Sequence, residues 1–271
     1  MFTGAMLSSM FQSAKYIGWF KQSFTGDNQM TINTHKFFRG LISGLFILFC
    51  FFAGTAQVAA EPIAVIGTGN VGGALGPQFA KLGHVVIYGS REPEREDVQA
   101  LVSKTSGNAD AQLPVEAAAA ADIVVIATKW ADTEVAVKSL GDLSGKIILD
   151  PTNAVRRDDA GIRSHDVETS TGEMIQSWAP GSMVVKAFNT LGAATMADPA
   201  SAGGPMTIPI AGNNASAKAR IAELVTGIGF DVVDMGDISA AHAIEQMLIV
   251  RGNAAVLGSP FNYYFRPVPK N

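Results

Sequence analysis

The chain has 271 residues, with 20 Lys and Arg against 24 Asp and Glu, a net charge of -4 and a single cysteine, Cys50. One cysteine excludes an intramolecular disulfide framework and a cysteine zinc cluster. The acidic balance, with no Lys/Arg run, argues against an electrostatic nucleic-acid footprint, and 48% apolar residues do not fit low-complexity disorder.

The hydrophobicity is unevenly distributed. Ten of the 15 Phe lie before residue 61. Residues 1–29 read as a leader of uncertain status, with Met30 a better translational start than Met1. Residues 30–60 have the form of a secretory signal: Lys36 and Arg39, an uncharged run from Gly40 to Ala60 with a Leu/Ile/Phe-dense centre, then Val58-Ala59-Ala60 before Glu61-Pro62. Cleavage is expected after Ala60, and export to a periplasmic or extracellular location follows from it. The alternatives are an uncleaved membrane anchor and a cytoplasmic protein. Phe49 before Cys50 does not suit a lipoprotein site. Residues 1–60 hold four basic residues and one acid, so the remainder carries -7.

From Pro62 the chain alternates strand and helix. Strands are expected at Ile63–Ile66, Val85–Tyr88, Ile123–Ala127, Lys146–Asp150, Met183–Ala187, Met206–Ile210 and Asp231–Val233. Helices are expected at Asn70–Leu82, Glu94–Ser103, Ala215–Ile228 and Ser239–Val250. Continuous β-branched runs separated by helices predict a sheet covered on both faces. The fold class is α/β: a Rossmann-type, doubly wound, mostly parallel sheet. Residues 61–187 are assigned to the nucleotide-binding domain, and 188–271 to a small C-terminal α/β extension completing the cleft.

Gly67-Thr68-Gly69-Asn70-Val71-Gly72 is G-x-G-x-x-G directly after the first strand and at the start of the first helix, the context a dinucleotide fingerprint requires. Its glycines allow a tight turn, close approach of the pyrophosphate, and packing of helix on strand. An NAD-preferring domain carries Asp or Glu at the end of strand two. Here Tyr88-Gly89-Ser90-Arg91 stands there, with Arg95 one turn on. A hydroxyl and two guanidinium groups suit a 2′-phosphate, so NADP(H) is expected. The alternative is that Arg91 and Arg95 pair with Glu92, Glu94 or Glu96.

These residues, together with Ala127-Thr128-Lys129-Trp130, Asp150-Pro151-Thr152-Asn153 and Lys186-Ala187-Phe188-Asn189-Thr190, resemble the NADPH-dependent coenzyme F420 reductase family. The Lys-Ala-Phe-Asn-Thr run also resembles the reductase domain of the STEAP metalloreductases. The resemblance covers Pro62 to about Val250. It implies a deazaflavin (F420) or flavin lying against the nicotinamide, with hydride passing between the rings. It further implies that Thr68 to Val71 hold the pyrophosphate, that Ser90, Arg91 and Arg95 hold the 2′-phosphate, and that Thr128, Lys129 and Trp130 line the nicotinamide side. Lys129 departs from the family, which often has proline there; its charge lies beside the nicotinamide or points to solvent.

Ring-to-ring hydride transfer needs no nucleophile, acid or base, and no catalytic residue or metal ligand is assigned. Trp130 reads either as a stacking wall or as packing. Asn153 and Asn189 each follow a strand, where open α/β sheets bind ligands, and are expected at the cofactor; Asn153 could instead cap its turn. His84 is expected at the surface or an edge, and His165 solvated in the charged stretch Arg163 to Glu168; Arg156, Arg157, Asp158 and Asp159 read as a solvated loop. His242, in the first turn of the last helix, either faces the cleft or is an ordinary helix residue. The expected partner is a small-molecule redox acceptor. The last helix and Phe261 to Phe265 could pack against a second subunit. Two rivals remain. One is a small-metabolite reductase of the β-hydroxyacid or imine type; the β-hydroxyacid type usually places a helical Lys with Asn four residues on, whereas Lys186 lies on an expected strand and is followed four residues later by Thr190. The other is a non-catalytic NADP-binding redox sensor.

Overall fold

The computed structural model describes residues 60–105 and 107–268. All belong to one compact unit, Ala59–Asn271. The expected leader and signal, other than Ala60, lie outside the described residues. No helix among the described residues is long and apolar enough to cross a membrane.

The chain opens with β1 (Pro62–Ile66), α1 (Asn70–Lys81), β2 (Val85–Gly89), α2 (Glu96–Lys104), β3 (Ala109–Gln112) and α3 (Pro114–Ala119). It continues with β4 (Ile123–Ile126), α4 (Trp130–Lys138), β5 (Ile147–Asp150), a hairpin of β6 (Val155–Arg157) and β7 (Arg163–His165), α5 (Thr171–Trp178) and β8 (Met183–Lys186). It ends with α6 (Ala193–Ala197), β9 (Thr207–Gly212), α7 (Ala215–Ile228), β10 (Asp231–Asp234) and α8 (Ala241–Val256).

Eight strands form one sheet in the order β10-β9-β8-β5-β4-β1-β2-β3. The run from β3 to β8 is parallel throughout. This is the doubly wound arrangement, with the strand order reversing between β1 and β4. β9 pairs antiparallel with β8 through only Ala211 and Gly212. Pro209, which has no N–H to donate, thus lies outside that ladder. β10 then runs parallel to β9. Residues beyond 187 extend the same sheet.

Alternation along the strands divides the core. Ile63 and Val65 face α1 and α7, packing with Leu75, Phe79, Ile221 and Leu224. Ala64 and Ile66 face the opposite layer, with Ala117, Val137 and Ile175 from α3, α4 and α5. Successive side chains of a strand point to opposite faces, so strands covered on both sides must be apolar throughout.

The boundaries differ from expectation where local sequence carries little signal. The edge strand β3 (Ala-Asp-Ala-Gln) has no β-branched residue, and α3 through α5 are short. The second helix starts at Glu96, with Arg95 as its N-cap, and the last helix runs Ala241–Val256 instead of Ser239–Val250.

Candidate functional site

The glycine loop occupies the turn from β1 into α1, at the switch point of the sheet, where open α/β folds bind ligands. Each fingerprint glycine has a distinct spatial reason. Gly67 has φ +109°, and a Cβ there would sit 2.6 Å from the Ala127 carbonyl oxygen. At Gly72 a Cβ would fall 2.0 Å from the Gly67 oxygen and 3.1 Å from Val65 Cγ1, so only glycine lets α1 lie this close to β1. A Cβ at Gly69 would meet nothing within 4 Å. The second glycine of a dinucleotide fingerprint needs such an open approach. Gly69 is the N-cap of α1 and supplies no side-chain cap, and no acid stands in the first turn. The free N–H groups and positive helix end at Asn70 and Val71 therefore face the crevice, beside the backbone of Thr68, and suit an anion. The Gly67 N–H donates to the Gly89 carbonyl at 3.1 Å, tying the loop to the end of β2.

Beyond Gly89, Ser90 is buried and its Oγ accepts from the Glu92 N–H at 3.2 Å. Arg91 is exposed and makes no ion pair among the described residues. Arg95 is also exposed, but its guanidinium is held by Asp97, with Nε to Oδ1 at 2.5 Å and Nη2 to Oδ2 at 3.2 Å. The side-chain hydrogen bond and charge of Asp97 raise the Arg95 pKa. The intramolecular partner of Arg95 is thus Asp97, not one of the three neighbouring glutamates. Of the two arginines assigned to a 2′-phosphate, only Arg91 is ready to engage one without exchanging an ion pair.

At the end of β4, Thr128 and Thr133 share a hydroxyl hydrogen bond of 2.9 Å, and Thr133 donates to the Lys129 carbonyl at 3.0 Å. Lys129 is exposed, as N-cap of α4. Trp130 begins α4 and stacks on Trp178 of α5, with centroids 5.6 Å apart and planes inclined by 24°. One face of its ring is therefore covered within the protein.

Asn153 and Asn189 join the ends of β5 and β8 by reciprocal bonds. Asn153 Nδ2 donates to the Asn189 carbonyl at 3.1 Å, and Asn189 Nδ2 to Asn153 Oδ1 at 3.0 Å. Asn189 also reaches the Ile244 carbonyl of α8, at 3.3 Å, and is 1% exposed. The partly exposed Asn153 is the member at the crevice, and Asn189 fixes it from behind. Phe188 has φ +64°, the one positive value at a non-glycine among the described residues. This sparsely populated conformation turns the chain from β8 so that Asn189 faces Asn153, and Phe188 is held by burial and an edge contact with Phe230.

Behind these amides lies a charged cluster with no sequence signature. Lys186 Nζ sits 2.7 Å from Asp150 Oδ2, 2.9 Å from Glu245 Oε1, 2.8 Å from the Thr152 carbonyl and 2.5 Å from Thr171 Oγ1. His165 Nε2 approaches Glu245 Oε2 at 2.7 Å. Glu245 also accepts the Thr171 N–H that opens α5. Burial pushes the Glu245 carboxyl up, but Lys186, His165 and the Thr171 N–H together hold it below the usual carboxylate range. His165, expected in solvent, has a side chain only 7% exposed and stands edge-on to His242 at 4.8 Å. His84, expected at the surface or an edge, is 3% exposed and bonds to the Glu61 carbonyl. The ring of His242 bonds to the Thr169 carbonyl. The cluster leaves no local signal because Glu245 and His165 come from segments distant from Asp150 and Lys186.

The profile of the family described as "NADP oxidoreductase coenzyme F420-dependent" matches residues 62–154, from β1 to the Asn153 turn. A protein of Arthrobacter sp. FB24 assigned as an F420-dependent NADP reductase is 34% identical with a TM-score of 0.69; the match covers 76% of this chain and 100% of that one. A Sinorhizobium meliloti protein of unassigned function is 30% identical with a TM-score of 0.59, covering 67% of this chain and 88% of that one. Metalloreductase STEAP2 of mouse and of human is 27% identical over 215 residues, 75% of this chain. The chain spans 40% of the length of those metalloreductases. The fingerprint loop at the switch point, the absence of an acid after β2, and these likenesses agree: the chain belongs to the coenzyme F420-dependent NADP oxidoreductase family.

Proposed function

We propose that the protein moves hydride between NADP(H) and a flat redox cofactor, a deazaflavin of the F420 type or a flavin. The observation that carries this reading is the chemistry of the crevice rim. The groups offered by the ends of β4 and β5 are hydroxyl, amide and indole, from Thr128, Asn153 and Trp130, with the exposed ammonium of Lys129 between the first and the last. Asp150 and Lys186, the last residues of β5 and β8, are buried and paired with each other. Such a rim orients rings and excludes water, and it leaves no acid–base pair at the reacting atoms. Hydride transfer between two rings requires just that support.

The glycine loop and α1 N-terminus would hold the pyrophosphate, and Ser90 and Arg91 the 2′-phosphate. Bound NADP(H) supplies the hydride. The Asn153 amide, fixed by Asn189, would bond the carboxamide or the acceptor ring. Mixing the protein with NADPH and either F420 or FMN, and following loss of reduced-nicotinamide absorbance, tests the reading. No turnover with either acceptor would sink it.

We also infer export, from Lys36, Arg39 and the uncharged run 40–60. Cell fractionation with N-terminal sequencing checks this. A mature chain starting near Glu61 outside the cytoplasm supports it, and a cytoplasmic chain retaining residues 30–60 refutes it.

A further inference from the structure

The β6–β7 hairpin leaves the sheet two residues after Asn153 and lays one face on α8. In its register Arg157 stands directly opposite Arg163, and Val155 opposite His165. Residues opposite each other in an antiparallel pair share a face, and side chains two apart in a strand do so as well. Arg157, Arg163 and His165 therefore lie on the α8 side of the hairpin. The Arg163 backbone is clamped by Asn253: its N–H donates to Oδ1 at 2.7 Å, and its carbonyl accepts from Nδ2 at 2.9 Å. The Arg163 side chain then runs over Gly252, where a Cβ would fall 2.5 Å from Nη1. Arg251 is the next residue on α8.

Arg157 and Arg251 thus lie near enough for their charges to act on the Arg163 guanidinium. Like charges directly across a strand pair are unfavourable, and nothing acidic offsets them. Among the described residues Arg157, Arg163 and Arg251 make no ion pair, whereas Arg95, Arg156 and Arg220 each have a carboxylate partner. The hairpin's acids are used elsewhere or stand apart: Asp158 caps its own turn, Asp166 pairs with Arg156, and Asp159 is exposed. Arg163 Nη1 is buried without a hydrogen-bond partner among the described residues. Burial first, then the charges of Arg157 and Arg251, push the Arg163 pKa below its ordinary value. Among the described residues Arg251 is engaged by the neutral Asn262.

We propose that Arg157, Arg163 and Arg251 form an oxyanion site that takes the phosphate or carboxylate end of the second substrate. The assignment to that substrate rests on the hydride-transfer reading above. Arginine forks match such groups with paired donors. The placement fits as well. The Ile244 carbonyl on α8 meets Asn189 at the crevice, and Gly252 lies eight residues further along the helix. At 1.5 Å per residue that is roughly 12 Å, the reach of an extended chain leading from a ring to a terminal anion. A negatively charged tail would also remove the repulsion among the three guanidinium groups.

The test uses the whole protein with saturating NADP+, so that the dinucleotide site is filled, and titrates inorganic pyrophosphate by calorimetry at low salt. Wild type should bind it, and the Arg157→Gln/Arg251→Gln double variant should bind at least tenfold more weakly with an unchanged melting temperature. Equal binding by two folded proteins would overturn the site. Arg157→Glu, at an exposed position, gives a second reading and should abolish binding. The source of the anion is read from FMN and riboflavin, which share a ring and differ by a phosphate. With NADPH, KM for FMN should be at least tenfold below that for riboflavin, and the gap should close in the double variant. Pyrophosphate binding with a gap that persists in the double variant would overturn the assignment to the second substrate. If neither flavin nor F420 is turned over, the hydride-transfer reading fails, while the pyrophosphate titration still decides the site.

Discussion

Lys186 Nζ lies 2.9 Å from Glu245 Oε1 with both side chains fully excluded from solvent, joining the end of β8 to α8 across the base of the crevice. Asp150 at the end of β5 completes the contact from the other side. Removing one member of a buried ion pair leaves an uncompensated charge, at a cost of about 3–5 kcal/mol. Lys186→Met, which leaves two carboxylates facing each other, is expected to destabilise the protein by an amount in that range, measured as a shift of the urea midpoint. A loss below about 1 kcal/mol would show that the cluster is not closed in solution.

The same cluster makes stability depend on pH. The native state binds the Glu245 proton more weakly than the unfolded chain does, because Lys186, His165 and the Thr171 N–H outweigh the effect of burial. Unfolding therefore takes up a proton in acid. The contribution is fully present above the ordinary carboxyl value of 4.5 and is lost as pH falls through the lower native value. Glu245→Gln should be less stable than wild type at pH 7, with the difference narrowing below about pH 4. Urea unfolding at the two pH values checks this, and a constant difference would contradict it.

Gly69 and Gly72 separate binding from folding. At Gly69 a methyl group meets no protein atom within 4 Å, so Gly69→Ala should fold with little change in melting temperature. It should nevertheless weaken NADPH at least roughly tenfold, because the added Cβ occupies the pyrophosphate's approach. At Gly72 the methyl would lie 2.0 Å from the Gly67 oxygen, so Gly72→Ala should lower stability and binding together. Equal effects of the two substitutions on melting temperature would contradict this division.

Arg91 and Arg95 should differ in consequence. Arg91 has no ion-pair partner among the described residues, while Arg95 is engaged by Asp97. Hydrogen bonds to charged groups contribute about 1.5–3 kcal/mol. Arg91→Ala is expected to weaken NADPH by roughly tenfold to a hundredfold and to leave NADH nearly unaffected, with Arg95→Ala having the smaller effect. Direct titration of both dinucleotides decides it; equal loss for NADPH and NADH on removing Arg91 would refute the 2′-phosphate assignment.

What the sequence by itself determined was local. The apolar runs at Ile63–Ile66 and Ile123–Ile126, each followed within a few residues by turn chemistry or a helix, specified a doubly wound sheet, because strands covered on both faces must be apolar throughout. Gly67 and Gly72 specified the turn from β1 into α1 through backbone requirements that neighbouring residues impose. The missing acid after Gly89 marked the preference for NADP in the same local way. Tertiary structure decided everything that depends on segments meeting. His165 read as solvated because its neighbours in sequence are charged, yet folding brings Glu245 against it from 80 residues away. Asn189 read as a cofactor contact because it follows a strand, but the left-handed turn at Phe188 commits it to Asn153. Trp130 was open between wall and packing until α5 delivered Trp178 to its ring. The arginines of the β6–β7 hairpin looked like an ordinary solvated loop. Only strand register and the close approach allowed by Gly252 bring the charges of Arg157 and Arg251 to bear on Arg163, since charge convergence is a property of spatial arrangement and leaves no periodic trace along the chain.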